Sequence, residues 1–467
     1  MRRTMQRTDA MQPARSAMVA LAFGLVLSVT AMGVTGCAPA GSSVAPAPQR
    51  ASARATLAHT IDSLVNRSIF RTAEWAVLVV DPGLNDTLYA HNAASLMVPA
   101  SNMKIVTSAV ALTQLGGDFR FKTTFAARGA VRNGVLDGDL VVTGRGDPTL
   151  SNHVRGDARA AMGEFADSIV AHGIHSITGS VYSGADNFPG PAVGAQWAWD
   201  DLAYDYGAGV GALLFDEGMS RVVVHTARGD SVTSRPASNP THDYLAVLQE
   251  ALQARGVRIA HGVSDSVPLQ DAANHDAALG TVKLDTLFVV NSIPLRQILP
   301  FFLKPSQNQI GEVLLRAVGL ERTGVGTADS GIAVVSRQLT SWGIPRDGYV
   351  LHDGSGLSRA DLVSPQTLTR ILDRMQANPD FNVYYYALPI AGVDGTIAHR
   401  MRGTPAANNV HAKTGSIQWV RSLSGYVTDA SGRRLIFSAL CNKYTTPPDS
   451  VTHTADSIAE ALAVYYQ

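Results

Sequence analysis

The segment Pro99-Ala100-Ser101-Asn102-Met103-Lys104 opens an apolar, alanine-rich run that ends at Gly116-Gly117. Such a run predicts a buried helix, and a glycine pair is a typical helix end. Residues three apart lie on one helical face, so the Ser101 hydroxyl and the Lys104 amine can meet. A serine hydroxyl is a poor nucleophile until a base takes its proton, and a buried lysine with a depressed pKa is such a base. The segment therefore predicts a nucleophile, Ser101, beside its general base, Lys104.

Lysine usage supports the same interpretation. The chain has six lysines and 32 arginines among its 38 basic residues. Arginine does not give up its proton in a protein, whereas lysine can. A lysine at position 104 therefore fits a base better than a surface charge. Taken alone, a Ser-x-x-Lys match is weak, because about one is expected by chance in a chain this long.

A second motif, Ser306-Gln307-Asn308, lies in a turn before a predicted helix, 309–318. Ser306 can pass a proton between Lys104 and a leaving amine. Asn308 can hold a substrate amide and orient Lys104. A simple helix cap is the alternative interpretation of this motif.

A third motif, Lys413-Thr414-Gly415-Ser416, lies in a predicted strand. Lys413 and Gly415 share one face of the strand, and Thr414 takes the other. Gly415 removes side-chain bulk, so a substrate backbone can pair along the strand edge. Lys413 supplies positive charge for a carboxylate that Thr414 and Ser416 can hydrogen-bond. The N–H groups of Ser416 and Ser101 can form an oxyanion hole. The alternative is an ordinary strand end.

In order and spacing, the three motifs resemble those of the serine penicillin-recognising enzymes, S-x-x-K, S-D-N and K-T-G. Over residues 55–467 the chain resembles the penicillin-binding protein 4 type of D-alanyl-D-alanine carboxypeptidase/endopeptidase, peptidase family S13. That family inserts extra domains between its first two motifs, which fits the long gap here. Gln307 departs from the pattern, which often has Asp there, but it lies outside the expected proton chain. Four further stretches carry the likeness: Gly146-Asp147-Pro148, Asp353-Gly354-Ser355-Gly356-Leu357-Ser358-Arg359, Ala391-Gly392-Val393-Asp394-Gly395-Thr396 and Gly403-Thr404-Pro405-Ala406-Ala407.

The resemblance implies an α+β fold. We expect a penicillin-binding/β-lactamase-like transpeptidase domain, an antiparallel sheet with flanking helices, split by an inserted region. The order of helical and strand-like segments suggests residues 55–118 and 285–467 for the catalytic domain. Residues 119–284 are expected to be a mostly β insertion of one or two subdomains.

The resemblance also implies the reaction. The expected substrate is the D-Ala-D-Ala end of a peptidoglycan stem peptide, cut as a carboxypeptidase and, at cross-link amides, as an endopeptidase. Penicillins are expected to acylate the nucleophile, and no metal or cofactor is implied. The alternatives are a β-lactamase, for which no Glu-x-x-Leu-Asn stretch is found, and a non-catalytic wall-binding or β-lactam-sensing lipoprotein. The implied roles are acylated nucleophile for Ser101, general base for Lys104, proton relay and substrate orientation for Ser306 and Asn308, and carboxylate binding for Lys413, Thr414 and Ser416.

The overall composition is that of a globular protein of two or three domains, with 467 residues, 46% of them apolar and 16% charged. Its 38 basic and 38 acidic residues leave no net charge, so no nucleic-acid partner is expected. Two cysteines exclude a disulfide scaffold and a Cys-rich zinc site. Cys441, in an apolar strand-like run, is expected to be a buried, unreactive thiol.

The N-terminus predicts export. Four early arginines precede an uncharged apolar run that ends in Val34-Thr35-Gly36-Cys37. Small residues before a cut site suit a signal peptidase, and a cysteine directly after the cut resembles a bacterial lipobox. We therefore expect residues 1–37 to be a lipoprotein signal peptide with Cys37 lipidated, and 38–54 to be a flexible linker. The protein would then be lipid-anchored on the periplasmic side of a bacterial membrane. A transmembrane anchor, or a plain signal cut elsewhere, are the alternatives.

Three other groupings have simpler interpretations. His172 and His175 are expected on a surface helix rather than as metal ligands. The aromatic stretch 197–206 (WAWDDLAYDY) is expected to pack within the protein, with a wall of the substrate cleft as the alternative. His352-Asp353 suggests a serine triad with Ser101, but Lys104 is the nearer base.

Overall fold

The computed structural model describes residues 47–226, 229–265 and 284–466. The helices are α1 (Ala47–Val65), α2 (Met103–Leu115), α3 (Asn152–Arg155), α4 (Ala158–Ala171), α5 (Pro240–Gln253), α6 (Leu295–Leu303), α7 (Asn308–Thr323), α8 (Ala328–Ser341), α9 (Pro365–Met375), α10 (Phe381–Ala387) and α11 (Pro448–Ala463). The strands are β1 (Glu74–Asp81), β2 (Asp86–His91), β3 (Lys122–Arg132), β4 (Val135–Gly144), β5 (Ser176–Ile177), β6 (Val181–Ser183), β7 (Met219–Thr226), β8 (Gly229–Pro236), β9 (Arg258–Ile259), β10 (Val263–Ser264), β11 (Asp285–Asn291), β12 (Tyr349–Val350), β13 (Leu362–Val363), β14 (His411–Ile417), β15 (Val420–Thr428) and β16 (Arg434–Asn442).

Five antiparallel strands form the first sheet, in the order β14-β15-β16-β1-β2. β1 comes from the N-terminal part of the described chain but lies inside the sheet, where Val77 is opposite Ala439 of β16. β14, which carries the third motif, is an edge strand. An edge strand leaves backbone N–H and C=O groups unpaired on one side, so a ligand can pair there.

Helices cover both faces of this sheet. Because side chains alternate along a strand, Ala76 of β1 packs in the core that contains α2, while Val77 packs in the core that contains α1 and α11. Ile61 and Ile458 are fully buried in the second of these cores. The predicted α+β fold, with an antiparallel sheet and flanking helices, is confirmed.

The inserted region is built around a second sheet with the strand order β10-β6-β4-β3-β11, to which β5 and β9 add. α4 and α5 pack against it through a separate apolar core. β7 and β8 pair only with each other and form an independent hairpin within the described residues.

One expectation for this region needs correction, and one helix of the region was not predicted. β11 pairs with β3, so 285–291 belong to the inserted sheet rather than to the catalytic domain. The chain returns at Ser292, whose backbone N–H and hydroxyl both bond Phe121 at the point of departure. The helix α4 was not predicted, because alanines dilute its apolar spacing; Asp157 caps its start by accepting from the N–H of Ala160.

The N-terminal expectations are only partly covered. α1 begins at Ala47, so the second half of the range predicted as linker, 38–54, is helical. Leu57 and Ile61 pack α1 against the catalytic sheet, and this packing stabilises a helix where a flexible linker was expected. The predicted signal peptide and Cys37 lie outside the described residues. Within those residues, every helix is too short or too polar to span a bilayer.

Candidate active site

Ser101 and Lys104 meet at the start of α2. A short turn of 3-10 helix, Ala100–Asn102, precedes α2, and Ser101 is its half-buried middle residue. Lys104 is fully buried one turn later, and its Nζ lies 3.0 Å from Ser101 Oγ. The spacing of three residues therefore brings the two groups within hydrogen-bonding distance.

Two further groups surround the amine of Lys104. Asn308 Oδ1 lies 2.6 Å from Nζ, and the backbone oxygen of Ser355 lies 2.7 Å from it. Both are acceptors only, so in a neutral amine they take the two N–H bonds and leave the lone pair for the Ser101 hydroxyl proton. The arrangement thus suits a neutral amine that accepts a proton from Ser101.

Burial lowers the pKa of Lys104 to about 7, because desolvation penalises the ammonium. The negative charges of Asp353 and Glu312 act in the opposite direction and keep the pKa from falling further. A base with a pKa near neutrality is available at neutral pH and still basic enough to take a proton.

The second motif is divided between a side chain that reaches Lys104 and one that does not. Asn308 is the first residue of α7, and its Nδ2 donates to the backbone oxygen of Tyr206, which fixes the orientation of the amide. Gln307, the departure from the family pattern, caps α7 by accepting from the N–H of Ile310. Ser306 has a left-handed φ of +69°, and its hydroxyl makes no hydrogen bond within the described residues. Its relay role therefore stays a prediction.

The third motif lies beside the nucleophile through backbone and small side chains. Asn102 Nδ2 donates to the backbone oxygen of Lys413 and to Ser422 Oγ. A Cβ on Gly415 would lie 2.1 Å from Ser422 Oγ and 2.5 Å from the backbone oxygen of Pro99. Gly415 is thus needed so that β14 can approach the turn before α2, and the expected pairing of a substrate along this edge stays a prediction.

The polar side chains of the third motif differ in their exposure. Lys413 is fully buried, and its Nζ donates to the backbone oxygen of Thr414 at 3.0 Å. Burial lowers the pKa of Lys413 well below its ordinary value, and the charge of Lys104 lowers it further. The Thr414 hydroxyl lies 2.7 Å from that of Thr396, and the Ser416 side chain is exposed. A bound carboxylate would raise the pKa of Lys413 and so hold its ammonium form.

The sequence profile of the D-Ala-D-Ala carboxypeptidase 3 (S13) family matches residues 57–240 and 231–463. The chain belongs to the S13 family. The D-alanyl-D-alanine carboxypeptidase of Actinomadura sp. (strain R39) is 33% identical over 482 residues, covering 91% of this chain and 88% of that relative. D-alanyl-D-alanine carboxypeptidase DacB of Haemophilus influenzae is 29% identical over 408 residues, covering 78% of this chain and 84% of the relative. The predicted family and the enzyme class, serine-type D-Ala-D-Ala carboxypeptidase, are confirmed.

The fold of this S13 enzyme also matches a solved structure. The crystal structure of penicillin binding protein 4 (dacB) from Haemophilus influenzae superposes with a TM-score of 0.75 at 24% identity, covering 87% of this chain and 99% of that one. The same protein complexed with a β-lactam superposes with a TM-score of 0.69. These structures support the fold rather than individual residue roles.

The Ser355 carbonyl belongs to the loop 353–359, which was noted in the sequence only for its family likeness. The role of this loop in the site was not predicted. Asp353 accepts from the backbone N–H groups of Gly356 and Ser358 and from Trp197 Nε1. The Ser355 carbonyl and the Gly356 N–H belong to one peptide group, so Lys104 and Asp353 bind its two ends. A glycine-rich stretch opened by an Asp was the available signal, because backbone N–H groups there can fold around a carboxylate.

Glu312 supports the same loop from α7 and was also missed. Its Oε1 accepts from the N–H groups of Gly354 and Ser355. Burial, followed by the charge of Asp353, raises the pKa of Glu312 to about 8. Glu312 lies four residues, one helical turn, after Asn308, so one face of α7 bears both a contact to Lys104 and a support for its carbonyl partner.

The inserted region reaches the site through residues 205–208. Besides the Asn308 contact to Tyr206, Gln309 Nε2 donates to the backbone oxygens of Asp205 and Ala208. The stretch 197–206 therefore borders the site through its backbone, and three of its aromatic side chains are exposed rather than packed within the protein as expected. The insertion of this S13 enzyme is thus attached to the helix that carries Asn308.

The remaining candidates do not join the site. His352 makes no hydrogen bond to Ser101 within the described residues, and Asp353 serves the loop backbone. His172 and His175 both lie after the end of α4, so their expected place on a surface helix is wrong, and His172 stacks on Phe288 at 5.3 Å. No group of three metal-ligating side chains occurs among the described residues. Cys441 is buried in the sheet, and burial raises its pKa.

Proposed function

We propose that this S13 enzyme cleaves D-Ala-D-Ala by acyl transfer through Ser101. Lys104 Nζ takes the hydroxyl proton as Oγ attacks the carbonyl of the penultimate D-Ala. The tetrahedral oxyanion accepts hydrogen bonds from the N–H groups of Ser101 and Ser416. The observation that carries the proposal is the Lys104 amine, with two N–H bonds engaged and its third position 3.0 Å from Oγ.

The second half of the cycle uses the same groups. Ser306 passes the proton from Lys104 to the leaving amine, so D-Ala departs as the C–N bond breaks. Water then attacks the acyl-enzyme, Lys104 takes its proton, and Ser101 is regenerated. Lys413, Thr414 and Ser416 bind the terminal carboxylate. A cross-link amide to a D-residue that bears such a carboxylate is cut in the same way, which makes the enzyme a DD-endopeptidase as well.

Penicillins act on this site as covalent inhibitors, because they combine a cyclic amide with a carboxylate. When the cyclic amide opens, its amine stays attached to the acyl group, so no leaving group departs. We further propose that the protein is an exported lipoprotein held by Cys37 on the periplasmic side of a membrane. The sequence of the apolar run and its lipobox supports this localisation. Mass spectrometry of the N-terminal peptide tests it, and an unmodified thiol at Cys37 would refute it.

The deciding experiment measures D-Ala release from a pentapeptide by the native enzyme and by Ser101→Ala. We expect a loss of at least ~10³-fold in the variant. Brief exposure to penicillin, followed by mass spectrometry, should show the penicilloyl adduct on the peptide that contains Ser101. Equal release by both proteins would remove the proposal. Penicilloyl turnover within seconds would instead favour a β-lactamase.

A further inference from the structure

The turn between β14 and β15 contains an unusual residue. Gln418 and Trp419 form the two-residue loop, and Trp419 has a φ of +62°. The left-handed region favours Gly or Asn in such hairpins, and a bulky residue there is strained. The Trp419 side chain is also 56% exposed, so burial does not compensate for the strain. Strain of this kind is concentrated at ligand-binding sites.

Trp419 lines a cleft of about 440 Å³ with Ser416, Arg421 and Tyr444. Arg421 is opposite Cys441 in the sheet, and Cys441 packs in the core of α1 and α11. The cleft therefore lies on the sheet face that carries α11, away from α2. Ser416, at the exposed edge, joins the cleft to the catalytic motif.

The cleft contains a positive charge without an acidic partner. The Arg421 guanidinium lies 5.7 Å from the centre of the Tyr444 ring, and its Nη1 donates to the backbone oxygens of Ile417 and Val420. No carboxylate pairs with Arg421 within the described residues. A guanidinium beside an indole and a phenol suits a ligand group that combines a carboxylate with an apolar body.

A peptide bound along the open edge of β14 can extend in only one direction. At its start, the edge is occupied, because the N–H of Ala412 donates to the backbone oxygen of Pro389 and Ile390 bridges to His411. A peptide with its carboxylate at Lys413 must therefore leave in the direction of Trp419. Trp419 lies in the two-residue turn that follows Ile417, so a peptide extended along this edge reaches the turn about two residues beyond Ser416.

We propose that Trp419 and Arg421 form a subsite for a carboxylate-bearing stem residue about two positions before the acylated D-Ala. In a stem peptide that residue is the γ-linked D-glutamate, whose α-carboxylate is free. The assignment rests on the proposed function, since it takes the direction of the substrate from the carboxylate at Lys413. The indole covers the methylene groups and the guanidinium binds the carboxylate.

The test compares a short and a long substrate: Nα,Nε-diacetyl-L-Lys-D-Ala-D-Ala, and L-Ala-γ-D-Glu-L-Lys-D-Ala-D-Ala. We expect Trp419→Gly and Arg421→Gln each to lower kcat/KM for the pentapeptide about 10-fold and to leave the tripeptide within about twofold. The Arg421→Gln loss should disappear with the glutamate α-amide form. Arg402→Gln, which removes an exposed arginine bonded to its own backbone neighbour Ala398, should alter neither substrate.

The outcomes separate the subsite from folding and from the proposed function. Glycine suits the left-handed turn, so Trp419→Gly should melt at the same temperature as the native enzyme or higher. Equal losses on both substrates, or no loss on the pentapeptide, would overturn the subsite. A loss seen only when the stem is attached to its disaccharide would overturn it in favour of a sugar site. If the native enzyme released no D-Ala from either peptide, the proposed function itself would fail.

Discussion

Replacing Asn308 by aspartate places a negative charge beside Lys104 with little change in side-chain size. Asn308 Oδ1 lies 2.6 Å from Nζ, and both atoms are buried. A carboxylate shares its charge between two oxygens, so we place its centre of charge about 4 Å from Nζ, where a unit charge contributes about 4 kcal/mol at an effective dielectric constant of about 20. Burial also raises the pKa of the new carboxyl, so we take about half, ~2 kcal/mol. At 1.36 kcal/mol per unit, that corresponds to about 1.5 pKa units.

The sign of the effect follows from which form is stabilised. The carboxylate favours the ammonium, so the pKa of Lys104 should rise from about 7 to about 8.5. Only the neutral amine accepts the Ser101 proton, and its fraction at pH 7 then falls from about one half to about 3%. Acylation at pH 7 should therefore slow about 15-fold and largely recover near pH 9.5.

The assay is the second-order rate of labelling by a fluorescent penicillin across this pH range, which reports the acylation step alone. Asn308→Ala is the matched control, because it removes the hydrogen bond without adding a charge. We expect Asn308→Ala to lower the labelling rate without shifting the fall of the rate at acid pH to higher pH. If the labelling rate of Asn308→Asp were lower by the same factor at every pH, and the fall of the rate toward acid pH were not shifted, Lys104 would be refuted as the titrating base.

Three further substitutions test neighbouring contacts. Lys104→Arg keeps the charge but cannot release a proton, so we expect penicillin labelling to fall at least ~10³-fold at every pH, and recovery at high pH would argue against it. Thr396→Val removes the hydroxyl that lies 2.7 Å from Thr414 Oγ1. The KM for D-Ala-D-Ala peptides should rise about fivefold with kcat little changed, and Thr396→Ser should restore the native KM. An unaltered KM in Thr396→Val would contradict a role for Thr396 in orienting Thr414. Gly415→Ala brings a methyl group within 2.1 Å of Ser422 Oγ, so denaturant unfolding should show a loss of ~1–3 kcal/mol together with slower labelling; an unchanged midpoint would disprove the close packing.

Local rules explain what the sequence could predict about the site. The Ser101 to Lys104 contact depends on helical spacing alone, and the facing of Lys413 and Gly415 depends on strand alternation. The partners of the amine were harder to foresee. Asn308 was assigned by its motif, but the Ser355 carbonyl comes from a loop 251 residues away in sequence from Lys104. Contacts of that kind depend on how helices pack, which spacing along the chain does not encode.

The errors in the fold have similar physical causes. β11 reads as an ordinary strand beside helical sequence, and only its pairing with β3 assigns it to the insertion. α1 extends into a stretch whose composition resembles a linker, because its apolar side chains find a partner in α11. In both cases tertiary contacts override the local signal. Gly415 was predicted to remove side-chain bulk so that a substrate can pair along the edge, and the structure adds a second reason for glycine, the close approach of Ser422.

The placement of β1 between β16 and β2 has a consequence for how the enzyme matures. β1 ends at Asp81, and its hydrogen-bonding neighbour Arg434–Asn442 is synthesised roughly 350 residues later. Until those residues arrive, β14 and β15 have no strand that connects them to β1, so the third motif is not held beside Ser101. A chain in which Arg434–Asn442 is missing or unpaired is therefore expected neither to cleave D-Ala-D-Ala nor to react with a penicillin. Catalytic competence in this way depends on a strand that carries none of the three motifs.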